Sequence, residues 1–353
     1  MHRRQRAGSE PCQDCGRVSM CRSIAPCLLM DELRQHLAQI SDGSSAQTLA
    51  NVLAELWQLR SSFPDEPTVR QQLASAIRYQ RHLPTHQVES GPAQIVHELK
   101  SLIVAGPNDA IIAGELAKAL YDQPFRLRRR QPIEAAGTVL DELRQLAARY
   151  PAEEEPRHRL VMSLVNHHAD ALNARSNIAS GILQEIRSLR KKNSEDKVIV
   201  AQLAMALFNC LLQLEPPSPD FFNVAEELYE TARTHTEDIA IRGLLAKDIY
   251  LMHSAYLRLR SGALAESILH ELSELKRRYD NDPTVLEELA RVMCGQISYL
   301  ISNAEQERAS ALIAGLREIL ESWPSEFDMP HDLVQLRGNV KSVFNSAFWQ
   351  VIE

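Results

Sequence analysis

With 353 residues, 39 Lys and Arg against 46 Asp and Glu, and a formal charge of -7, the chain lacks the globally basic surface on which nucleic-acid binding draws. Thirteen Gly and 5% aromatic residues, beside abundant Leu, Ala, Glu, Arg and Gln, weigh against strands, so the expected class is all-α. No stretch of about 18 or more uncharged apolar residues occurs, which argues against a membrane-spanning helix and makes a cytoplasmic protein the expectation.

Residues 1–27 come first and carry Cys12, Cys15, Cys21 and Cys27. Four thiolates suit tetrahedral zinc, but only the first two form a C-x2-C pair, whereas common zinc ribbons have two such pairs. The simpler expectation is a disordered leader, or residues upstream of the true start, with Met20 and Met30 as alternative initiators. Charges at Glu10, Asp14, Arg17 and Arg22 break the apolar run that a signal peptide needs.

From residue 28 onward the sequence repeats. A Glu-Leu-x-x-Leu type box recurs, and its second residue falls at Leu56, Leu99, Leu143, Ile186, Leu228, Leu272 and Leu316. A second box, clearest as Leu-Ala-x-Ala-Leu, begins at Leu73, Leu116, Leu160, Leu203, Leu245, Leu289 and Leu333. Turn positions between the two keep the same step, at Pro64, Pro107, Pro151, Ser194, Glu237, Asn281 and Pro324. The unit is about 43 residues long and occurs seven times.

Each unit holds two helical patterns. Ala136, Val139, Leu140, Leu143, Leu146 and Ala147 share one face, as do Ile178, Ile182, Leu183, Ile186 and Leu189. Prolines from Pro64 to Pro156, Pro124 among them, are expected between these faces, where no amide donor is needed. Ser218-Pro219 and Asp282-Pro283 read as an N-cap followed by Pro at the first helical position. A last helix, about Asp332 to Val351, is expected to cap the open end.

The order of turn proline, Leu-Ala-x-Ala-Leu helix, loop and second helix, as in Pro107 through Leu116-Ala117-Lys118-Ala119-Leu120 to Pro151, resembles the tetratricopeptide repeat. The resemblance covers about residues 28–325, with aliphatic residues at the family's bulky aromatic positions. The step exceeds that family's usual repeat of about 34 residues, which HEAT-type repeats, the second choice, do not require explaining. The resemblance implies a right-handed superhelical α-solenoid of about seven antiparallel helix pairs plus the C-terminal cap, a single domain over residues 28–353. It further implies a protein or peptide partner on a concave face lined by the first helix of each unit, as in a scaffold, an adaptor or a sensing subunit.

The strongest positive cluster, Arg126, Arg128, Arg129 and Arg130, falls where an exposed loop is expected and suits phosphate or an acidic peptide. Nucleic-acid binding is therefore the second expectation, to be abolished by Glu at Arg128, Arg129 and Arg130 and weakened by salt. Arg190-Lys191-Lys192 and Lys276-Arg277-Arg278 sit at helix C-termini, where cations complement the dipole.

Glu55, Glu98, Glu142, Glu185, Glu227 and Glu271 share one place in the unit, with Arg70, Arg157 and Arg242 as candidate partners. His167, His168 and Asp170 form no trusted catalytic spacing, and Cys210 and Cys294 read as reduced core thiols. No P-loop, dinucleotide fingerprint, H-E-x-x-H or nucleophile elbow is present, so neither an enzyme nor a cofactor is expected.

Overall fold

The boxes mark helices and the turn positions their ends. The computed structural model describes residues 46–79, 92–127, 133–325 and 327–335, and no strand occurs among them. Their helices are α1 (Ala46–Ser62), α2 (Pro67–Tyr79), α3 (Pro92–Ala105), α4 (Ala110–Leu127), α5 (Ile133–Arg149), α6 (Glu154–Asn173) and α7 (Ile178–Lys192). The series continues as α8 (Lys197–Leu211), α9 (Pro219–Ala232), α10 (Ile239–Arg258), α11 (Gly262–Arg278), α12 (Pro283–Ser302) and α13 (Gln306–Glu321). A helical turn over residues 331–335 opens the segment expected to form the cap, whose remainder lies outside the described residues.

The chain is an all-α solenoid in which even-numbered helices carry the Leu-Ala box and odd-numbered helices the Glu-Leu box. It divides into two compact units, residues 1–163 and 164–353, with the boundary inside α6. In the first unit each of α1 to α4 packs on the next helix in the chain, and in the second each of α7 to α12 does so. Even-numbered helices also pack on one another, α2 on α4 in the first unit, and α8 on α10 and α10 on α12 in the second.

The boxes are the core. Leu56, Leu99, Leu143, Ile186, Leu228, Leu272 and Leu316 are all buried, as are Leu73, Leu116, Leu160, Leu203, Leu245, Leu289 and Leu333. Burying each such side chain contributes about 1.5–3 kcal/mol. The next residue in the second box is small and fully enclosed at Ala74, Ala117, Ala204, Ala246 and Ala290, which lets a neighbouring helix approach closely.

Helix ends follow local chemistry. Asp196, Asp238 and Asp282 each accept two amides of the first turn of α8, α10 and α12, and Ser218 accepts one ahead of Pro219. Ser218-Pro219 and Asp282-Pro283 are thus the capped starts that the sequence implies. Pro156 sits in the first turn of α6, where its missing amide is one that helices leave unbonded. Pro124, expected between helices, instead lies inside α4; only Phe125, Arg126 and Leu127 follow it, so it disturbs a last turn rather than a helix middle.

The turns from even to odd helices share a backbone signature. Arg175, Arg260 and Ala304, at the same place after Leu160, Leu245 and Leu289, adopt φ of 50°, 56° and 57°. The amide that follows each reaches back to the helix, Ser176 to Ala171, Ser261 to Tyr256 and Glu305 to Leu300, at 2.8, 3.0 and 2.9 Å.

The arginines expected to pair with the glutamate row do something else. Arg70, Arg157 and Arg242 each donate to a carbonyl six residues earlier, Pro64, Pro151 and Thr236, at 3.0, 3.1 and 2.7 Å. An arginine on the first turn of an even helix therefore clamps the turn leading into it. Three glutamates of the row, Glu142, Glu227 and Glu271, pair across one repeat, while Glu98 accepts from Gln94 of its own helix. Lys100 bonds Glu142, Arg187 bonds Glu227 through both oxygens, and the Tyr229 hydroxyl donates to Glu271. In each case the partner directly follows the box residue of the preceding unit.

Candidate interaction surface on the even-numbered helices

The even-numbered helices carry two kinds of polar group beyond their core face, one buried between helices and one at the surface. Buried rungs recur at one register. His168 and His253 occupy equivalent places; the His168 Nε2 lies 3.6 Å from the Cys210 thiol and the His253 Nε2 3.1 Å from Gln296 Oε1. Both imidazoles are buried, and burial pushes both pKa values down, aided at His168 by the Arg187 charge and opposed at His253 by the Gln296 bond. Burial raises the Cys210 thiol to about 11. A neutral thiol beside a neutral imidazole is a packing contact, without the thiolate that a nucleophile needs. Cys294, also raised to about 11 mainly by burial, is likewise a free thiol; both cysteines are half-buried rather than fully enclosed.

Asp248 departs from the repeat. Its place is taken by Ala76, Ala119 and Ala206 in other units, all buried. Asp248 is completely enclosed, neither carboxylate oxygen has a hydrogen-bond partner, and burial lifts its pKa well above 3.8. Glu288 on α12 is also buried and raised, though Arg291, 3.2 Å away, opposes the shift.

In the first unit a charged ladder crosses the even helices: the buried Glu115 pairs with Arg78 and meets Lys118 at 3.2 Å, and the half-buried Arg159 meets Glu155 at 2.7 Å while lying over the Tyr121 ring. In the second unit, Arg291 of α12 meets Glu287 at 2.6 Å and Asp332 at 3.3 Å. These charges answer one another.

From Val198 to Leu211 helix α8 carries no charged side chain. Val198, Ala201, Met205, Phe208 and Leu212 recur at alternating spacings of three and four, one continuous stripe along the helix. None of the five is fully buried, and Met205 and Leu212 are 38% and 58% exposed. Beside the stripe, on α10, the exposed Lys247 reaches over the Phe208 ring at 6.0 Å and has no ion-pair partner among the described residues. An apolar stripe with one adjoining cation is a surface that packing within the array does not use up. The sequence reading passed over it, although the 3-4 spacing is legible in Lys197–Leu211 and the residue after it.

Of the sites singled out from sequence, Arg126 falls in the last turn of α4, while Arg128, Arg129, Arg130 and the four cysteines Cys12, Cys15, Cys21 and Cys27 lie outside the described residues. At the basic helix ends, Arg190 donates to the Ser194 carbonyl, Lys276 pairs with Asp280 and Arg277 with Glu274. His167 and Asp170 both have partners in the structure. Among the described residues no three His, Cys, Asp or Glu side chains gather as a metal site, and no helix is long and apolar enough to cross a membrane. Comparison with models of known protein families gave no match, and a search of curated proteins gave none either.

Proposed function

We infer that the protein is an interaction scaffold or adaptor that holds a partner protein or peptide on the surface of its even-numbered helices, and that its unit is an elongated form of the tetratricopeptide type. The observation that carries this reading is the α8 stripe, where Met205 and Leu212 stand exposed in a row otherwise typical of helix interfaces. Arg190, Lys276 and Arg277 are engaged by the chain's own acceptors, which favours a protein partner over a phosphate track.

The test is recovery of the tagged full-length chain from its native host, with and without nuclease. The reading expects stoichiometric protein partners that survive nuclease and are lost from a Met205→Glu, Leu212→Glu variant. Partners lost on nuclease treatment, or retained by the variant, refute it.

A further inference from the structure

We propose that the occupant of the α8 stripe is an amphipathic helix of a partner protein, about four turns long, with apolar residues at alternating three and four spacing and an acidic residue placed against Lys247. The proposal rests on the scaffold reading and names the partner's chemistry. Three observations lead to it.

The first is spacing. Val198, Ala201, Met205, Phe208 and Leu212 stand where the a and d positions of a helix-pairing seam stand, and this row is what a second helix packs against by knobs into holes. From Val198 to Leu212 the row rises about 21 Å at ~1.5 Å per residue, which sets the length of the occupant.

The second is the scarcity of peptide-backbone chemistry beside the stripe. An extended peptide needs donors and acceptors for its own amides along its whole length, and on α8 only the half-buried Gln202 and Asn209, four residues after Val198 and Met205, could supply them. A helix has satisfied its own backbone and asks only for apolar contact.

The third is charge. Lys197 is the sole ionisable residue of α8 other than Cys210, and at the start of the helix it is already paired with Glu237. Lys247 is the cation left over, held at the rim by the Phe208 ring while its field also reaches Glu288. A carboxylate flanking the occupant's apolar row completes it, and a basic flank is rejected.

The experiment is peptide display against the full-length chain. One library carries peptides of about 18 residues on a helix-forming background with randomised seam and flanking positions, and the other carries unconstrained peptides. The expected result is enrichment from the helical library of Leu, Ile, Met or Phe at 3-4 spacing with Asp or Glu at one flank. Affinity of the selected peptides should fall roughly tenfold or more in Met205→Glu, and Lys247→Glu should turn the selected flank to Lys or Arg. Both substituted positions are exposed, and circular dichroism and melting of each variant check that the fold is kept.

Enrichment from the unconstrained library alone, still sensitive to Met205→Glu, overturns the helical occupant and leaves the scaffold surface standing. Binders indifferent to Met205→Glu and Leu212→Glu, or no enrichment from either library, overturn both. Self-association of the chain that Met205→Glu abolishes assigns the stripe to a second copy and overturns the proposal.

Discussion

Arg242 of α10 grips the side chain of Asp282, 2.6 Å away, while the other oxygen of that carboxylate caps the first turn of α12. The same guanidinium holds the Thr236 carbonyl and lies 4.1 Å from the centre of the Tyr279 ring, so one buried side chain joins the turn before α10, the end of α11 and the start of α12. Removing Asp282 strands a buried charge and uncaps a helix. Asp282→Ala should destabilise by about 3–5 kcal/mol. Asp282→Asn keeps the capping oxygen and should cost less. Urea unfolding followed by circular dichroism reads both.

Asp248 is expected to be a site of gain. Asp248→Ala restores the residue found at Ala76, Ala119 and Ala206, and should stabilise by about 1–3 kcal/mol by removing unpartnered buried oxygens. The sign with pH follows from the raised pKa. Below about 3.8 the carboxyl is protonated in both folded and unfolded chains. As pH rises from there toward the folded-state pKa, the unfolded chain releases its proton first and stability is lost. The advantage of Asp248→Ala over the parent should therefore widen from pH 4 to neutral, measured as the difference in melting temperature.

The two buried imidazoles act in the opposite sense. Their folded pKa values lie below 6.5, so above that pH they leave stability unaffected, and below it the unfolded chain takes up protons that the folded chain does not. Stability should decline as pH falls from 6.5 toward the folded-state values. A His168→Leu, His253→Leu chain should show a shallower decline over that window, whatever its melting temperature at pH 8.

The left-handed turn residues invite substitution by glycine. Arg175, Arg260 and Ala304 hold φ between 50° and 57°, where a β-carbon is crowded and glycine is not. Arg175→Gly, Arg260→Gly and Ala304→Gly should each raise stability, by up to about 1 kcal/mol; the effect at Arg175 should add to the others, whereas Tyr299 bonds both the Arg260 carbonyl and Asn303 and so couples the other two turns.

Much of this fold is legible in the amino-acid sequence because the repeat is carried by leucines whose burial is their whole purpose. Leu73 and its six counterparts announce both helix type and register, and Asp282-Pro283 announces a helix start by chemistry confined to three residues. The arginines were harder. Arg70, Arg157 and Arg242 suggested partners in the glutamate row by charge alone, yet each holds an uncharged carbonyl six residues back, which the curl of the turn brings within reach, and the carboxylate that Arg242 finds is Asp282, outside the row. Asp248 is visible in the sequence only when each unit is aligned position by position, since a lone Asp in a helix usually faces water. The α8 stripe was hidden by its own regularity, for an apolar row on a helix reads first as core.

Lys100 with Glu142, Arg187 with Glu227, Arg242 with Asp282 and His253 with Gln296 each join groups 40 to 43 positions apart, and the turn clamps join groups six apart. Within each compact unit, tension applied along the chain is therefore handed from one helix pair to the next like load through links in series. The link that gives first sets the force at which the rest begins to pay out. In the second unit the link around α10 carries both the Asp248 carboxyl that lacks a partner and the Arg242 clasp that ties it to α12.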